Sequence, residues 1–281
     1  MGRSLRLPLF LFGFLPITAS LRAESYPWSH AVEGGTIQSR FQPPRGTARL
    51  SPPVNSFGAW LQGLPLKPGR PPVHLYDGSL KNRQDLHAAV VDISVGNKDL
   101  QQCADAVIRL RAEYLHAAGR DADVCFRFTN GDPCPWSRWS GGDRPSALGS
   151  RVAWFHRAST DTSRASFENY LFTLFRWAGT LSLSRELAAV PSGRPPEIGD
   201  VYIQGGSPGH AVIVADAARG RDGSTWVILL QSYMPAQEIH VLRNPDTGAP
   251  WFPAPADGSM NSPQWEFPAH SLKRFSEHGC P

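Results

Sequence analysis

Apolar residues recur at helical spacing in NKDLQQCADAVIRLRAEYLHAAG, where Leu100, Cys103, Val107, Leu110 and Tyr114 fall on one face. Asp99 stands where an N-cap belongs, Gln102 follows as a capping-box partner, and Gly119 closes the pattern. The stretch ASFENYLFTLFRWAGTLSLSRELAAV predicts a second long helix. It is apolar almost all round, which predicts burial, with Gly179 as a kink or a point of close contact. A shorter helix is predicted to begin at Ser56 in SFGAWLQGLPL.

Runs rich in β-branched residues mark the strands. PVHLYDG and HAAVVDISVG precede the first long helix, and DVCFRF follows it. Later come DVYIQ, HAVIVADAA, TWVILLQSY and EIHVL, with ARGRDGS as a hairpin link. From Asn244 onward proline and glycine dominate, which predicts a surface wrapping. Helices early and consecutive hairpins late predict an α+β fold, an antiparallel sheet with packed helices.

The first residues change the picture. Arg3 and Arg6 precede an apolar stretch, Leu9–Ile17, and small residues follow. That pattern predicts a secretory signal over residues 1–23 and a single globular domain over residues 24–281. The apolar stretch is too short for a stable membrane span, and Pro8 and Pro16 disfavour a buried helix. No other segment reads as a membrane span, so the expected location is the periplasm or the extracellular space. The net charge of +4 is scattered, with no basic run interleaved with aromatics, which argues against nucleic acid. No glycine-rich phosphate fingerprint and no metal-ligand spacing occurs, so no cofactor and no metal is expected.

Export permits disulfides. Cys125 and Cys134 flank FRFTNGDP, a strand and turn across which they are expected to pair, with Cys280 as the competing partner. Cys103 sits alone in the helical pattern near its start. A helix N-terminus favours a thiolate, because free N–H groups and the helix dipole point at it. His210 opens the HAVIVADAA strand after a glycine-rich turn, and Gln231 ends the next strand. A thiol at a helix start, a histidine on a strand and a polar residue on the neighbouring strand form a hydrolase layout, in which the imidazole takes the thiol proton. As core alternatives, Cys103 can serve as a small hydrophobe and His210 can bond only its turn. Trp136 and Trp139, in PCPWSRWSGG, are candidates for stacking on a sugar ring or a flat ligand.

The order and setting resemble NlpC-type cell-wall peptidases and papain-like amidases, in which a GD strand precedes the catalytic histidine strand, as GDVYIQGGSPGHAVIV does here. The resemblance covers Cys103 to about Gln231, and the stretch around the cysteine reads LQQCADA rather than the usual local signature. It implies a papain-like or NlpC-like architecture, a nucleophile at Cys103, a base at His210, an orienting residue at Gln231, and peptidoglycan or a peptide as substrate. Over nearly the whole chain after the signal, SFGAWLQGLPLKP, DLQQCADAVIRLRAEYL, GDVYIQGGSPGHAVIVAD and LLQSYMPAQEIHVLRNP look like an exported bacterial family known as domain of unknown function four-eight-four-six. That name implies no activity. Two functions therefore stand as expectations: a cysteine amidase or peptidase, and a non-catalytic envelope protein that binds a glycan or peptide through the aromatic loop.

Overall fold

The computed structural model describes residues 26–28 and 33–280. The stretch read as a secretory signal lies outside them. The chain begins with α1 (Ile37–Arg40), β1 (Thr47–Arg49), α2 (Phe57–Gln62), β2 (His87–Val90) and α3 (Cys103–Ala117). A middle part follows: β3 (Cys125–Arg127), β4 (Pro133–Pro135), α4 (Trp136–Ser140), β5 (Asp143–Leu148), β6 (Arg151–His156), α5 (Arg164–Trp177) and α6 (Thr180–Glu186). Last come β7 (Ala188–Ala189), β8 (Val201–Gln204), β9 (His210–Gly220), β10 (Thr225–Gln231), β11 (His240–Leu242), β12 (Trp251–Pro253), β13 (Met260–Ser262), β14 (Trp265–Phe267) and β15 (Leu272–Arg274).

The fold is α+β. Its main sheet has the order β2-β11-β10-β9-β8-β15-β7, with β1 added beside β9 and β12 beside β10. The pairings in it are antiparallel. Strand β9 lies at its centre and is buried on both faces. Ala211, Ile213 and Ala215 meet the α3 residues Val107 and Leu110 in the larger core, whereas Val212 and Val214 meet Tyr202, Leu229, Met260 and Phe267 in the smaller one. Successive strand residues point to opposite faces, so a strand covered on both sides needs a continuous apolar run, and AVIVA supplies it. A bulge opposite Ile228 and Leu229 shifts the register after Val214. Just beyond it the buried Asp216 accepts hydrogen bonds from Gln62 Nε2 at 2.7 Å and Arg49 Nε at 2.9 Å, tying α2 and β1 to the sheet.

The structure departs from the sequence expectations in four places. The first long helix starts at Cys103 with Gln102 as its N-cap, because Asp99 is engaged elsewhere, accepting the Ala236 N–H at 2.7 Å. The second predicted helix is broken into α5 and α6 at Ala178–Gly179, where Ser182 Oγ accepts the Gly179 N–H and starts a new helix. The proline- and glycine-rich tail is not mere wrapping: β15 pairs with β8, and the β13–β14 hairpin contributes Met260 and Phe267 to the smaller core. The β5–β6 hairpin, in DRPSALGSRVAWFH, was not foreseen.

Two expectations about named residues are corrected. Cys125 pairs with Cys280, at a Cα separation of 5.2 Å, and not with Cys134. The register explains this. Cys134 lies opposite Phe126, so both point into the core, while the neighbouring Cys125 points the other way, toward the chain end. Gly279 makes the bridge possible, since a side chain there would collide with the Asp123 carbonyl and crowd Cys125. The aromatic loop is also not an exposed platform. It forms α4, and Trp136 and Trp139, three residues apart on one helical face, are only 1% and 6% exposed. Trp136 packs against Phe167 and Tyr170 of α5, at centroid distances of 5.2 and 5.5 Å.

Peptide mapping of the unreduced protein should recover Cys125 linked to Cys280, and a Cys125–Cys134 peptide would contradict the fold. Because the bridge closes a long loop, Cys280→Ser should lower stability by about 4–5 kcal/mol in the chain-entropy picture. Trp136→Ala should cost ~3–5 kcal/mol in denaturant unfolding, as for a buried aromatic. A loss well below that would mean the indole is not in the core.

Candidate functional site

Cys103 is the first residue of α3, and Asp105 Oδ2 closes the helix start by accepting the Gln102 N–H at 3.0 Å. The thiol lies within reach of the backbone N–H groups of Ala104 and Ala211. It lines a cleft of about 350 Å³ whose far wall is the Gly206–Gly209 turn between β8 and β9, with Thr180 of α6 alongside. Glycine is required in that turn: a side chain at Gly209 would overlap Thr180 Oγ1 and the carbonyls of Gly206 and Gln204. The helix start and the two N–H groups favour a thiolate, but burial outweighs them. Burial, with Asp105 adding to it, pushes the thiol up to about 11. The acidic thiol suggested by the helix start is therefore not the resting state.

His210 is the first residue of β9 and is 1% exposed. Its Nε2 lies 2.9 Å from Gln231 Oε1. Tyr233, Trp265 and Phe267 surround the ring at centroid distances of 4.9, 5.3 and 5.8 Å. Burial pulls the imidazole down to about 4, with Gln231 opposing the shift and Lys81 adding to it, so the ring is neutral near pH 7. Gln231 Nε2 donates in turn to Gln264 Oε1 at 2.8 Å, and Lys81 Nζ donates to the same oxygen at 2.7 Å. Burial also pulls the Lys81 ammonium down to about 8. His240, on β11, is fully buried and stands 6.2 Å from the ring of His87. Its Nδ1 meets the Glu238 carbonyl at 2.9 Å, its Nε2 has no hydrogen-bond partner among the described residues, and burial pulls the ring down to about 3.

Of the residues singled out by sequence, His210 and Gln231 are in direct contact, and Cys103 reaches β9 through the backbone N–H of Ala211, the residue after His210. Among the described residues no hydrogen bond joins the thiol to the ring. Alternation along β9 turns the His210 ring toward the Val212 and Val214 face, while α3 packs on the Ala211 and Ile213 face. His210 and Cys103 each open their element, β9 and α3. Tyr233 is related to both: its ring packs against His210, and burial, with the Cys103 thiol adding to it, raises its phenol. Asp200, of the GD pair, has a structural role, accepting from Arg274 Nε and Nη2 at 2.6 and 2.8 Å. Trp136 and Trp139 take no part in the site. Sequence reasoning missed Lys81, Tyr233, Gln264 and Trp265. Lys81 carries no local signal in SLKNRQD, and Gln264 and Trp265 fall in the proline- and glycine-rich tail. Tyr233 carried a signal, since it follows Gln231 by the strand period.

A family described as a domain of unknown function (4846) matches residues 37–274. No curated protein and no solved structure matches the chain.

Two of the buried histidines, His210 and His240, give the site a pH signature. Both rings are held below the ordinary value of 6.5. Between that value and their folded values the unfolded chain binds more protons than the native one, so this contribution to stability is present above pH 6.5 and is lost as pH falls toward about 4 for His210 and about 3 for His240. Thermal unfolding from pH 7 to 4 should show a steeper loss for the wild type than for His240→Asn, which removes one titrating ring. Equal slopes would mean that His240 is not buried neutral.

Proposed function

We propose that this chain, which belongs to the family described as a domain of unknown function (4846), is a cysteine-dependent amide hydrolase. Cys103 is its nucleophile, His210 its base, and Gln231 the residue that orients the base. The observation that carries this reading is the 2.9 Å contact between His210 Nε2 and Gln231 Oε1 at the mouth of β9, with Cys103 lining a cleft bounded by the Gly206–Gly209 turn that leads into that strand. A carbonyl oxygen only accepts, so this bond holds the ring with its proton on Nε2 and leaves Nδ1 to take a proton. The architecture proposed with it is papain-like or NlpC-like.

The chemistry starts from a neutral pair. A thiol pushed up to about 11 and an imidazole pulled down to about 4 do not exchange a proton at rest. The proton leaves Sγ for Nδ1 as the sulfur bonds to the substrate carbonyl carbon, so ring and thiol must act in one step. Backbone N–H groups at the start of α3 stabilise the oxyanion that forms. The imidazolium then protonates the departing amine, and water releases the acyl group from sulfur. Peptidoglycan stem peptides or free peptides are the proposed substrates. Export to the periplasm or beyond accords with the Cys125–Cys280 bridge, since disulfides persist in oxidising compartments.

The test is cleavage of peptidoglycan fragments and of synthetic stem peptides by the oxidised protein, read as newly freed amines by mass spectrometry. Cys103→Ala should abolish turnover, and His210→Ala should reduce kcat/KM by ~10²–10⁴-fold. Turnover that survives Cys103→Ala, or no amide cleavage by the folded protein on either substrate, would overturn the proposal.

A further inference from the structure

We propose that Lys81 and Gln264 are positioning residues which, through Gln231, fix the tautomer of His210 with its proton on Nε2. The use of that tautomer rests on the hydrolase reading, but the tautomer itself can be measured without it.

Hydrogen-bond direction fixes the tautomer. A lysine ammonium has donors and no acceptor. At 2.7 Å from Lys81 Nζ, the Gln264 amide must therefore present its oxygen. The same oxygen lies 2.8 Å from the Gln231 amide and can only accept from it, so Gln231 must turn its NH₂ toward Gln264. The Gln231 oxygen is left facing His210, and Nε2 must donate to it. A neutral imidazole carries one N–H, so Nδ1 is bare. One fixed charge thus sets the sense of three consecutive hydrogen bonds.

The alternative sense is excluded by the same chain. Flipping Gln231 alone would set two carbonyl oxygens against each other. Flipping Gln264 as well would set an NH₂ group against the ammonium. The two side chains flanking Gln264 are shielded from water, Lys81 being 6% exposed and Gln231 1%, while Gln264 itself is half-buried, so each mismatch leaves at least one buried polar group without a partner. The β13–β14 hairpin serves both ends of the arrangement. Its turn delivers Gln264 to Gln231, and the next residue, Trp265, covers the His210 ring and donates its indole N–H to Gln204 Oε1 at 3.3 Å.

The experiment is long-range proton–nitrogen correlation NMR on the oxidised protein with ¹⁵N-labelled histidine at pH 7, with His210 assigned by its loss in His210→Gln. The wild type should show Nε2 protonated and Nδ1 bare. Gln264→Glu keeps an acceptor at that position and should leave this pattern intact. The double substitution of Lys81→Met with Gln264→Lys replaces the acceptor by a donor and should move the proton to Nδ1. A wild-type ring protonated on Nδ1 overturns the proposal even if no variant folds, and so does an unmoved proton in a folded double variant. A correct tautomer with no Cys103-dependent cleavage would sink the hydrolase reading and leave the relay standing. Cleavage with the wrong tautomer would do the reverse.

Discussion

Burial of strand β9 on both faces is the constraint on which the rest depends. One face is covered by α2 and α3, the other by Phe252, Phe267 and the tail that carries them. Such a strand is apolar along the AVIVA run, its buried Asp216 is satisfied by Gln62 and Arg49, and its polar end residue enters the same dry interior. A histidine placed there loses its hydration, so it remains neutral and must find a protein partner for its N–H. Gln231 is available because β9 and β10 are hairpin neighbours, and its own amide is satisfied by Gln264. The polar row from His210 to Lys81 is thus a consequence of the packing that makes the sheet.

The same low-dielectric setting explains why the pair is not an ion pair. Desolvation penalises the charged form of each group, raising a thiol and lowering an imidazole. At Cys103 this exceeds what the helix start and two N–H groups return. A substrate carbonyl in the cleft would change the balance, because the thiol proton is then exchanged for a bond to carbon.

Much of the fold was legible in the sequence. The runs DVYIQ, HAVIVADAA and TWVILLQ carried β-branched residues bounded by Gly and Asp, and all three are neighbouring strands. Ser56 announced α2 and accepts the Ala59 N–H. What failed depended on contacts remote in sequence. Cys280 and Cys125 are 155 residues apart, and no local pattern could rank that pair above Cys134. PCPWSRWSGG reads as a loop until α5 arrives to cover its tryptophans. Within the site, His210 and Gln231 were legible because one hairpin joins them. Lys81 and Gln264 were not, since they lie 183 residues apart and meet only across the finished sheet.

The account's central claim is that His210 serves the Cys103 thiol. Alkylation by iodoacetamide of the folded, oxidised protein, followed across pH for Cys103 and Cys134 in the same sample, tests it most directly. Both are buried free cysteines, but of the two only Cys103 lines the cleft, and Cys134 is pushed far above the ordinary thiol range by burial. The account predicts that Cys103 is modified at neutral pH, that His210→Ala slows this and moves the profile to higher pH, and that Cys134 stays unmodified until the protein unfolds. If Cys103 is as inert as Cys134 until unfolding, it is a core residue and the claim is contradicted.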